Sequence, residues 1–506
     1  MRVRNRTHSP VPNPTAGRPG VESARHASRP APAGIVGRGQ NTNKPMTLDP
    51  VLLSRLQFAF VVAFHILLPA FTVGLASFIV LLEGLYLVKR DPVYLRLSVF
   101  WTRIFAVSFG MGVVSGIVMP FQFGTNWSRY TDATGNVLGP LFAYEGLIAF
   151  FLEAGFLGIM LFGRKRVPPW AHFFSAVMVA AGTLFSSFWI LAANSWMQTP
   201  SGHEIVDGRY VPADWLAVIF NPSFPYRLAH TVTAFFLTTA FAVLGVTAWH
   251  AKRRLHLPEA RRVLRMTVVF VAIFVPIQVV VGDLHGRNTL EHQPVKLAAM
   301  EGLWETRSHV PMVLFALPDE TAETNRAEVA IPNVGSLYLT HDLTTEVKGL
   351  KSVPPDDRPP VTPVFFGFRV MVGLGILMLV VAYWGLWLRH KDRLVDSRTF
   401  QNACIAMIPA GFVAVIAGWT VTEVGRQPWV VHGLMRTRDA VSPSLTGSDV
   451  LTSIALYVIV YLIVFGAGIY YMARLARAGP PEHVDLREPT PDERPARPLS
   501  GAHADA

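Results

Sequence analysis

Gly418 to Trp429 reads GWTVTEVGRQPW and closes an apolar run that begins near Ala403. Glu423 therefore falls at membrane depth or just at its edge. A carboxylate there is costly in hydrocarbon unless something ionic pairs with it. At helical spacing Trp419 lies four residues before Glu423 and Arg426 three after it, so all three share one face if the helix persists that far. Pro428 then ends it. Two readings fit this stretch. One is an interfacial Glu–Arg pair with a Trp anchor. The other is a carboxylate ligand to a haem or metal, with Arg426 offsetting charge nearby.

The surroundings of that run are membrane-like throughout. Of 506 residues, 51% are hydrophobic and only 16% charged, the make-up of a polytopic membrane protein rather than a soluble one. Long apolar runs cover 57–87, 99–123, 140–163, 170–195, 226–249, 266–282, 364–388, 403–424 and 450–472, each able to cross a hydrocarbon core of about 30 Å. The expected fold is an all-α membrane bundle of about nine transmembrane helices with one long external loop. The single cysteine, Cys404, excludes an internal disulfide and any multi-thiolate metal site. No phosphate-cradling glycine loop, HExxH motif, internal repeat or nucleic-acid signature is present.

Loop charges orient the bundle. Lys89, Arg90 and Arg96, then Arg164, Lys165 and Arg166, then the Lys252–Arg265 group, then Arg389 to Arg398, and finally Arg474 and Arg477 follow alternate runs. The positive-inside rule puts these regions in the cytoplasm, the mature N-terminus outside and the C-terminus inside. Residues 1–45 break the pattern, with seven Arg and one Lys and no apolar run to serve as a signal peptide. Met46 opens a more ordinary start, so the reading is a tail that is either a mis-assigned start or a real disordered extension. The chain then divides into helices 1–6 over 46–282, an external loop over 283–363, helices 7–9 over 364–477, and a disordered cytoplasmic tail over 478–506.

Inside the membrane, several residues need explaining. His65 sits about eight residues into the first helix, His230 a turn into the fifth, and Met371 two turns into the seventh, two residues after Arg369. A lone His or Met in an apolar helix is ordinarily structural, but His with Met is a standard axial pair for a low-spin electron-transfer haem. By the topology above, His65, His230, Met371 and Glu423 all lie in the outer half of the bilayer. The third run adds Glu145 and Glu153, which an unbroken α-helix would set about 12 Å apart along its axis and about 80° apart around it. They are either carboxylates paired with neighbouring helices or a proton route into the membrane. Asn126, Asn194, Trp196 and Gln198 read as interface anchors at helix ends. The loop opens with Asp283, His285, His292, Lys296, Glu301 and Glu305, able to bind and deprotonate a polar headgroup, with Lys296 and Glu301 five apart on a short helix. A solvated amphipathic helix is the alternative.

Taken together, the motifs resemble subunit I of the cytochrome bd-type quinol oxidases over roughly Met46 to Arg477. The resemblance rests on SRLQFA (54–59) with His65, FQFGTNW (121–127), YEGLIAFFLEAGF (144–156), WILAANSWMQ (189–198), AHT (229–231), GDLHG (282–286), KLAAMEGLWET (296–306), FRVMV (368–372) and GWTVTEVGRQPW (418–429). It implies a bacterial inner-membrane quinol:oxygen oxidoreductase that oxidises ubiquinol or menaquinol outside, reduces O2 to water and generates a proton gradient. It implies His230 and Met371 as axial ligands of haem b558, Glu423 as ligand of haem b595, and His65 as ligand of the oxygen-reacting haem. Arg369 and Arg426 would offset propionate charge, Trp419 would lie between the haems, Lys296 and Glu301 would belong to the quinol loop, and Glu145 and Glu153 to the proton route. A second membrane subunit is implied as partner, with room for a small accessory subunit, and no nucleic acid. The short loop and LHGRNTLEHQP (284–294) resemble the short-loop, cyanide-insensitive branch, in which a further haem b can stand in place of haem d. The rival class is a proton-coupled transporter whose buried Glu and His form a relay; it would show broken helices at mid-membrane and an internal repeat.

Overall fold

The computed structural model describes residues 48–484, the side chains of 148–150 excepted. The basic tail expected over 1–45 and most of the tail expected over 478–506 lie outside the described residues. Membrane spans come first in the chain: α1 (Pro50–Lys89), α2 (Pro92–Thr125), α3 (Ser128–Tyr144) running through a π-turn (Glu145–Ala149) into α4 (Phe150–Phe162), and α5 (Pro169–Gln198). A small hairpin follows, β1 (His203–Val206) and β2 (Arg209–Pro212), with α6 (Trp215–Ile219). Then come α7 (Phe224–Lys252), α8 (Leu257–His292), α9 (Pro294–Glu301), the β3 (Met312–Asp319) and β4 (Thr324–Ile331) hairpin, α10 (Val334–Leu339) and α11 (Val361–His390). The chain ends with α12 (Arg398–Ala406), α13 (Ala410–Val424), β5 (Trp429–Val431), β6 (Met435–Arg436), α14 (Thr437–Ala440) and α15 (Gly447–Ala478). Among the described residues nine helical spans are long and apolar enough to cross a membrane, so the expected all-α polytopic fold holds.

Local chemistry sets where spans begin. Asp49-Pro50 and Asp91-Pro92 start α1 and α2 alike: each Asp accepts from the backbone N–H two residues on, at 2.9 and 3.0 Å, and each Pro occupies the first helical turn. Thr446 and Asp449 form a reciprocal capping box at α15.

α7 is the most enclosed span and α1, α5, α8, α12 and α13 pack on it. Lipid is as apolar as leucine, so such contacts depend on close approach at small residues. An added Cβ at Gly74 of α1 would sit 2.4 Å from Thr239 Oγ1, whose hydroxyl donates to Phe71 O at 2.8 Å. At Gly245 of α7 it would sit 2.7 Å from Cys404 O. One core joins α7, α8, α11 and α12 around Phe241, Leu264, Val268, Phe400 and Cys404. At the end of the bundle away from the 293–360 segment, Glu83 of α1 accepts from Ser98 Oγ and Arg164 Nη2 and lies 3.5 Å from His172 Nδ1. That buried knot ties α1, α2, α5 and the turn after α4.

Two expectations are corrected here. The sixth span does not stop at 282 but continues as helix to His292, so Asp283, His285 and His292 sit on α8 and not in a loop. The stop comes from Pro294, which pushes Gln293 out of the α region (φ −139°) and then opens α9. The segment after it is ordered, with a core of its own: Leu297, Leu303, Trp304, Val310 and Leu350 pack with Val361, Val364 and Val421 of the spans. The second correction concerns the third span. Its π-turn inserts one extra residue, so Glu145 and Glu153 behave as if seven α-residues apart and come back to nearly one face, about 20° apart instead of 80°.

Gly74→Val should strain the α1–α7 crossing by about 1–3 kcal/mol, because a branched side chain has no room against Thr239. The check is the unfolding temperature and yield of the detergent-extracted protein. Wild-type values for both would show the crossing to be less tight than drawn.

Candidate functional site

Glu423 is one residue from the end of α13, and its carboxylate is the hub of a buried polar cluster. Asn194 Nδ2 of α5 donates to its Oε1 at 2.9 Å, with Gln198 Nε2 at 3.5 Å, and Arg426 Nη2 donates to Oε2. The helix stops at Val424, yet Gly425 keeps helical angles (φ −67°, ψ −15°), so the i,i+3 pair still forms. From the loop segment, Lys296 Nζ reaches in to Gln198 Oε1 at 2.6 Å and Gln293 Oε1 at 2.7 Å. Its stem crosses Gly425, where an added Cβ would lie 2.9 Å from Lys296 Cγ.

Charge in this cluster does not balance. Arg227, Lys296 and Arg426 are all buried and all act electrostatically with the one carboxylate, Glu423. Burial, then the two arginines, hold the Lys296 amine well below its ordinary value, with Glu423 opposing. His432, in the β5–β6 turn, is pushed down to about 4 by burial and by Lys296 and Arg426. Nε and Nη1 of Arg426 and Nε of Arg227 are buried without hydrogen-bond partners among the described residues. Unpartnered guanidinium N–H groups beside surplus positive charge suit an anionic group.

The other singled-out donors stand apart, each against a glycine. His65 Nδ1 is 2.9 Å from Ser115 Oγ, and an added Cβ on Gly116 would lie 3.2 Å from His65 Cε1. His65 is fifteen residues from Pro50, about 22 Å along α1, because the helix begins earlier than the apolar run; the expected eight residues were an undercount. Pro69 and Pro120 lie four residues beyond His65 and Gly116, so the backbone carbonyls of both lack the usual helical N–H. His230 lies beside Gln278 Nε2 (3.3 Å to Nδ1), with the His285 ring 5.5 Å away, and an added Cβ on Gly282 would be 3.3 Å from its Cε1. Met371 Sδ would be 3.0 Å from a Cβ on Gly418. Trp419 packs with Phe235, Leu191 and Phe224. Among the described residues no three His, Cys, Asp or Glu side chains converge as they would on a bare metal ion. Dispersed single donors, each packed against a glycine, suit a macrocycle that brings its own equatorial ligands better than a bare ion.

The remaining predicted residues divide. Lys296 and Glu301 do share the eight-residue α9, but they face different clusters. Glu301 is buried and lies 3.8 Å from Arg369 Nη2. Burial raises its carboxyl above the ordinary value, opposed by Arg369 and by Tyr338. Arg369 donates to Met300 O, Phe365 O and Val313 O, so its guanidinium staples the loop segment to α11 and only Nε is left over. Glu145 accepts from Ser186 Oγ of α5 at 2.9 Å, and Glu153 is buried one effective heptad further on. Asp283 is exposed, His292 bonds within α8 to Asn288, and Glu305 pairs with Lys351 at 2.6 Å, so none of these joins the cluster.

The interface-anchor reading of Asn126, Asn194, Trp196 and Gln198 is overturned. Asn126, Trp196 and Gln198 are buried, and Asn126 Nδ2 donates to Gln57 Oε1 at 2.7 Å. Asn194 and Gln198 belong to the Glu423 cluster. Arg227, Gln293 and His432 were not singled out from sequence. An arginine one turn before His230 in an apolar helix was the signal for Arg227; nothing comparable marked the other two.

Comparison with known proteins gives the family. Residues 53–480 match the family model for cytochrome bd terminal oxidase subunit I. The chain is 36% identical over 443 residues to the cytochrome bd ubiquinol oxidase subunit 1 of Bacillus subtilis (strain 168), covering 85% of this chain and 94% of that one. It is 31% identical over 500 residues to the cytochrome bd-II ubiquinol oxidase subunit 1 of Escherichia coli (strain K12), covering 85% and 97%. Among solved structures, the bd oxidase from Geobacillus thermodenitrificans matches with a TM-score of 0.80 at 32% identity, covering 86% of this chain and all of that one.

Gln198→Leu keeps the volume but removes one of the two acceptors of Lys296 Nζ and one of the two of Gln293 Nε2, leaving only Gln293 Oε1 and the Gln198 backbone carbonyl. A loss of about 1–3 kcal/mol in the unfolding of the purified complex is expected. An unchanged unfolding curve would mean the cluster is not held through Gln198.

Proposed function

The chain belongs to the cytochrome bd terminal oxidase subunit I family, and from that premise we propose how its residues divide the work. It is a membrane-spanning subunit of a terminal respiratory oxidase, a quinol:oxygen oxidoreductase whose cofactors are haems. The rival transporter reading falls with the family.

His230 and Met371 would hold a low-spin haem b558 between them. Both lie in the helix halves nearer the 293–360 segment, on α7 and α11, which each pack on α8 and α13. Glu423, at the end of α13, would hold haem b595, and His65 would hold the oxygen-reacting haem, d or a further b. The unpartnered N–H groups of Arg426 and Arg227 carry this reading, since propionates would meet them and relieve the surplus charge. Arg369 acts mainly as the staple of the loop, with Nε free for a propionate, and Trp419 packs between the sites. Bound haems supply the one-electron steps and the reduction of dioxygen.

Around them the chain binds, orients and handles protons. Lys296 and Glu301 flank the quinol site from opposite faces of α9. Glu301, buried and raised, takes a proton from the quinol hydroxyl and passes it to the outer surface. Glu145 and Glu153, now on one face, bring protons for water from the cytoplasmic side. The segment over 293–360 lies outside and the C-terminus inside, in a bacterial inner membrane, as loop charges require. Charge then crosses the membrane as protons, so turnover builds a potential without a pump. A second membrane subunit covers apolar faces such as those of α2 and α15, and the chain is of the short-loop branch.

The test of the whole reading is a reduced-minus-oxidised absorption spectrum of the purified complex with pyridine haemochrome analysis; a colourless protein ends it. Met371→Leu keeps side-chain volume, a change cores tolerate at under about 1.5 kcal/mol, while removing the thioether. The b558 band should turn high-spin or vanish with the fold intact; an unaltered low-spin band removes Met371 from the axial pair.

Glu153→Gln keeps shape but carries no proton. In proteoliposomes it should slow steady-state oxygen reduction while quinol still reduces the b558 haem, and wild-type vesicles should acidify on the quinol side. Normal turnover by the variant, or oxygen uptake with no potential, would exclude this inward route.

A further inference from the structure

We propose that the β3–β4 hairpin is a membrane-interface element. The apolar face that it turns away from the protein is seated in the lipid leaflet on its side of the bilayer, not in water. Two hydrogen bonds fix its level against a span. At the tip, Glu320 Oε1 accepts from Val361 N–H, on the first residue of α11, at 2.9 Å. Near the base, Val313 O accepts from Arg369 Nη2 at 2.6 Å. Arg369 lies eight residues further along α11, about 12 Å deeper. Strand β3 therefore runs down the side of the span, past residue 364 where the apolar run of that span begins.

Polarity along the hairpin follows that descent. At the tip Asp319 pairs with Arg326, and Glu323 with Arg358. Toward the base the residues are apolar. Val313, Ala316 and Ala330 turn inward and pack with Phe365 and Phe366 of α11. Leu314, Phe315, Val329 and Ile331 face out, each between 44% and 57% exposed. Register shifts on either side of Phe315 break strict alternation, so the consecutive Leu314 and Phe315 are both exposed. Phe315 stands directly across from Val329, which puts the two on one face.

This face also continues a surface of the span itself. The Phe315 ring lies 6.1 Å from that of Phe366, and Val370, Leu377 and Val380 follow Phe366 at helical spacing as exposed apolar residues of α11. An exposed apolar patch in a folded chain marks a contact, and one that is charged at its upper end and apolar at the border of the hydrocarbon matches a bilayer interface. The grading with depth selects lipid over a protein partner. Arg369 also donates to Met300 O, so one guanidinium ties the hairpin to α9. A hairpin seated in lipid thereby holds α9 at the lipid–water border.

The experiment uses the whole assembled oxidase in vesicles of phosphatidylcholine and phosphatidylglycerol. Cys404 is buried, so a bimane label attached after Val329→Cys or Ile331→Cys reports its own position, with the label-treated wild-type complex as blank. Thr321→Cys, exposed at the tip, is the control. Labels at 329 and 331 should lose fluorescence to lipids carrying a nitroxide high in the acyl chain, at a depth of about 5–10 Å, and be spared by aqueous iodide. The label at 321 should respond the opposite way. Both base positions are exposed, so either variant alone carries the test if the other assembles poorly. Iodide quenching at the base would put this face in water and overturn the proposal. Protection there from both quenchers would mean that a protein surface covers the face, and would overturn it equally.

Discussion

A single half-buried carboxylate, Glu423, has to answer three buried cations, and much of the functional half of the bundle is arranged around that imbalance. Charges cannot be left bare in a low-dielectric interior, so each must find hydrogen bonds, a counter-ion or a neutral form. All three solutions are in use. Arg426 takes the carboxylate directly, Lys296 is driven toward the neutral amine while two amide side chains accept from it, and Arg227 keeps an N–H in reserve. The cluster draws on α5, α7, α9 and α13, and so fixes the loop segment onto the spans as firmly as its apolar core does.

How much of this was legible in the sequence follows from the range over which each signal acts. Hydropathy is a local sum, so all nine spans could be read from runs of 17 to 31 residues. The Glu423–Arg426 pair was legible because i,i+3 spacing is local too, and it survived even though the helix ended early. Lys296 could be placed on a short helix, but not turned toward Glu423, since that contact joins positions far apart in the chain through Gln198. His432 sits in an unremarkable hairpin turn and became visible only when β5 and β6 were seen to pass over Met197. Reading Asn194 and Gln198 as lipid-interface anchors failed for the same reason: composition says that a polar residue sits at a helix end, not which way it points.

The third span taught a different lesson. Its π-turn changes the angular relation of Glu145 and Glu153 without any compositional mark, because one inserted residue looks like any other in an apolar run. Straight-helix geometry put the two carboxylates on different faces, whereas the bulge returns them to one. A bulge of this kind is a common way for a helix to re-aim a side chain at a functional site. The proton route proposed above depends on that single extra residue.

Pro69 and Pro120 leave two rungs unmade in adjacent antiparallel helices, one on either side of the contact between His65 and Gly116. A ladder with a missing rung bends more cheaply there than elsewhere. Two such gaps side by side form a crease across the α1–α2 pair. Beyond the crease, α1 and α2 are clamped at the far end by the Glu83, Ser98, Arg164 and His172 knot. Bending of the pair is therefore cheapest around His65 and most resisted at the clamp. In elastic terms, the pair is a stiff beam with one soft joint, and the joint falls at the residue assigned to the oxygen-reacting haem.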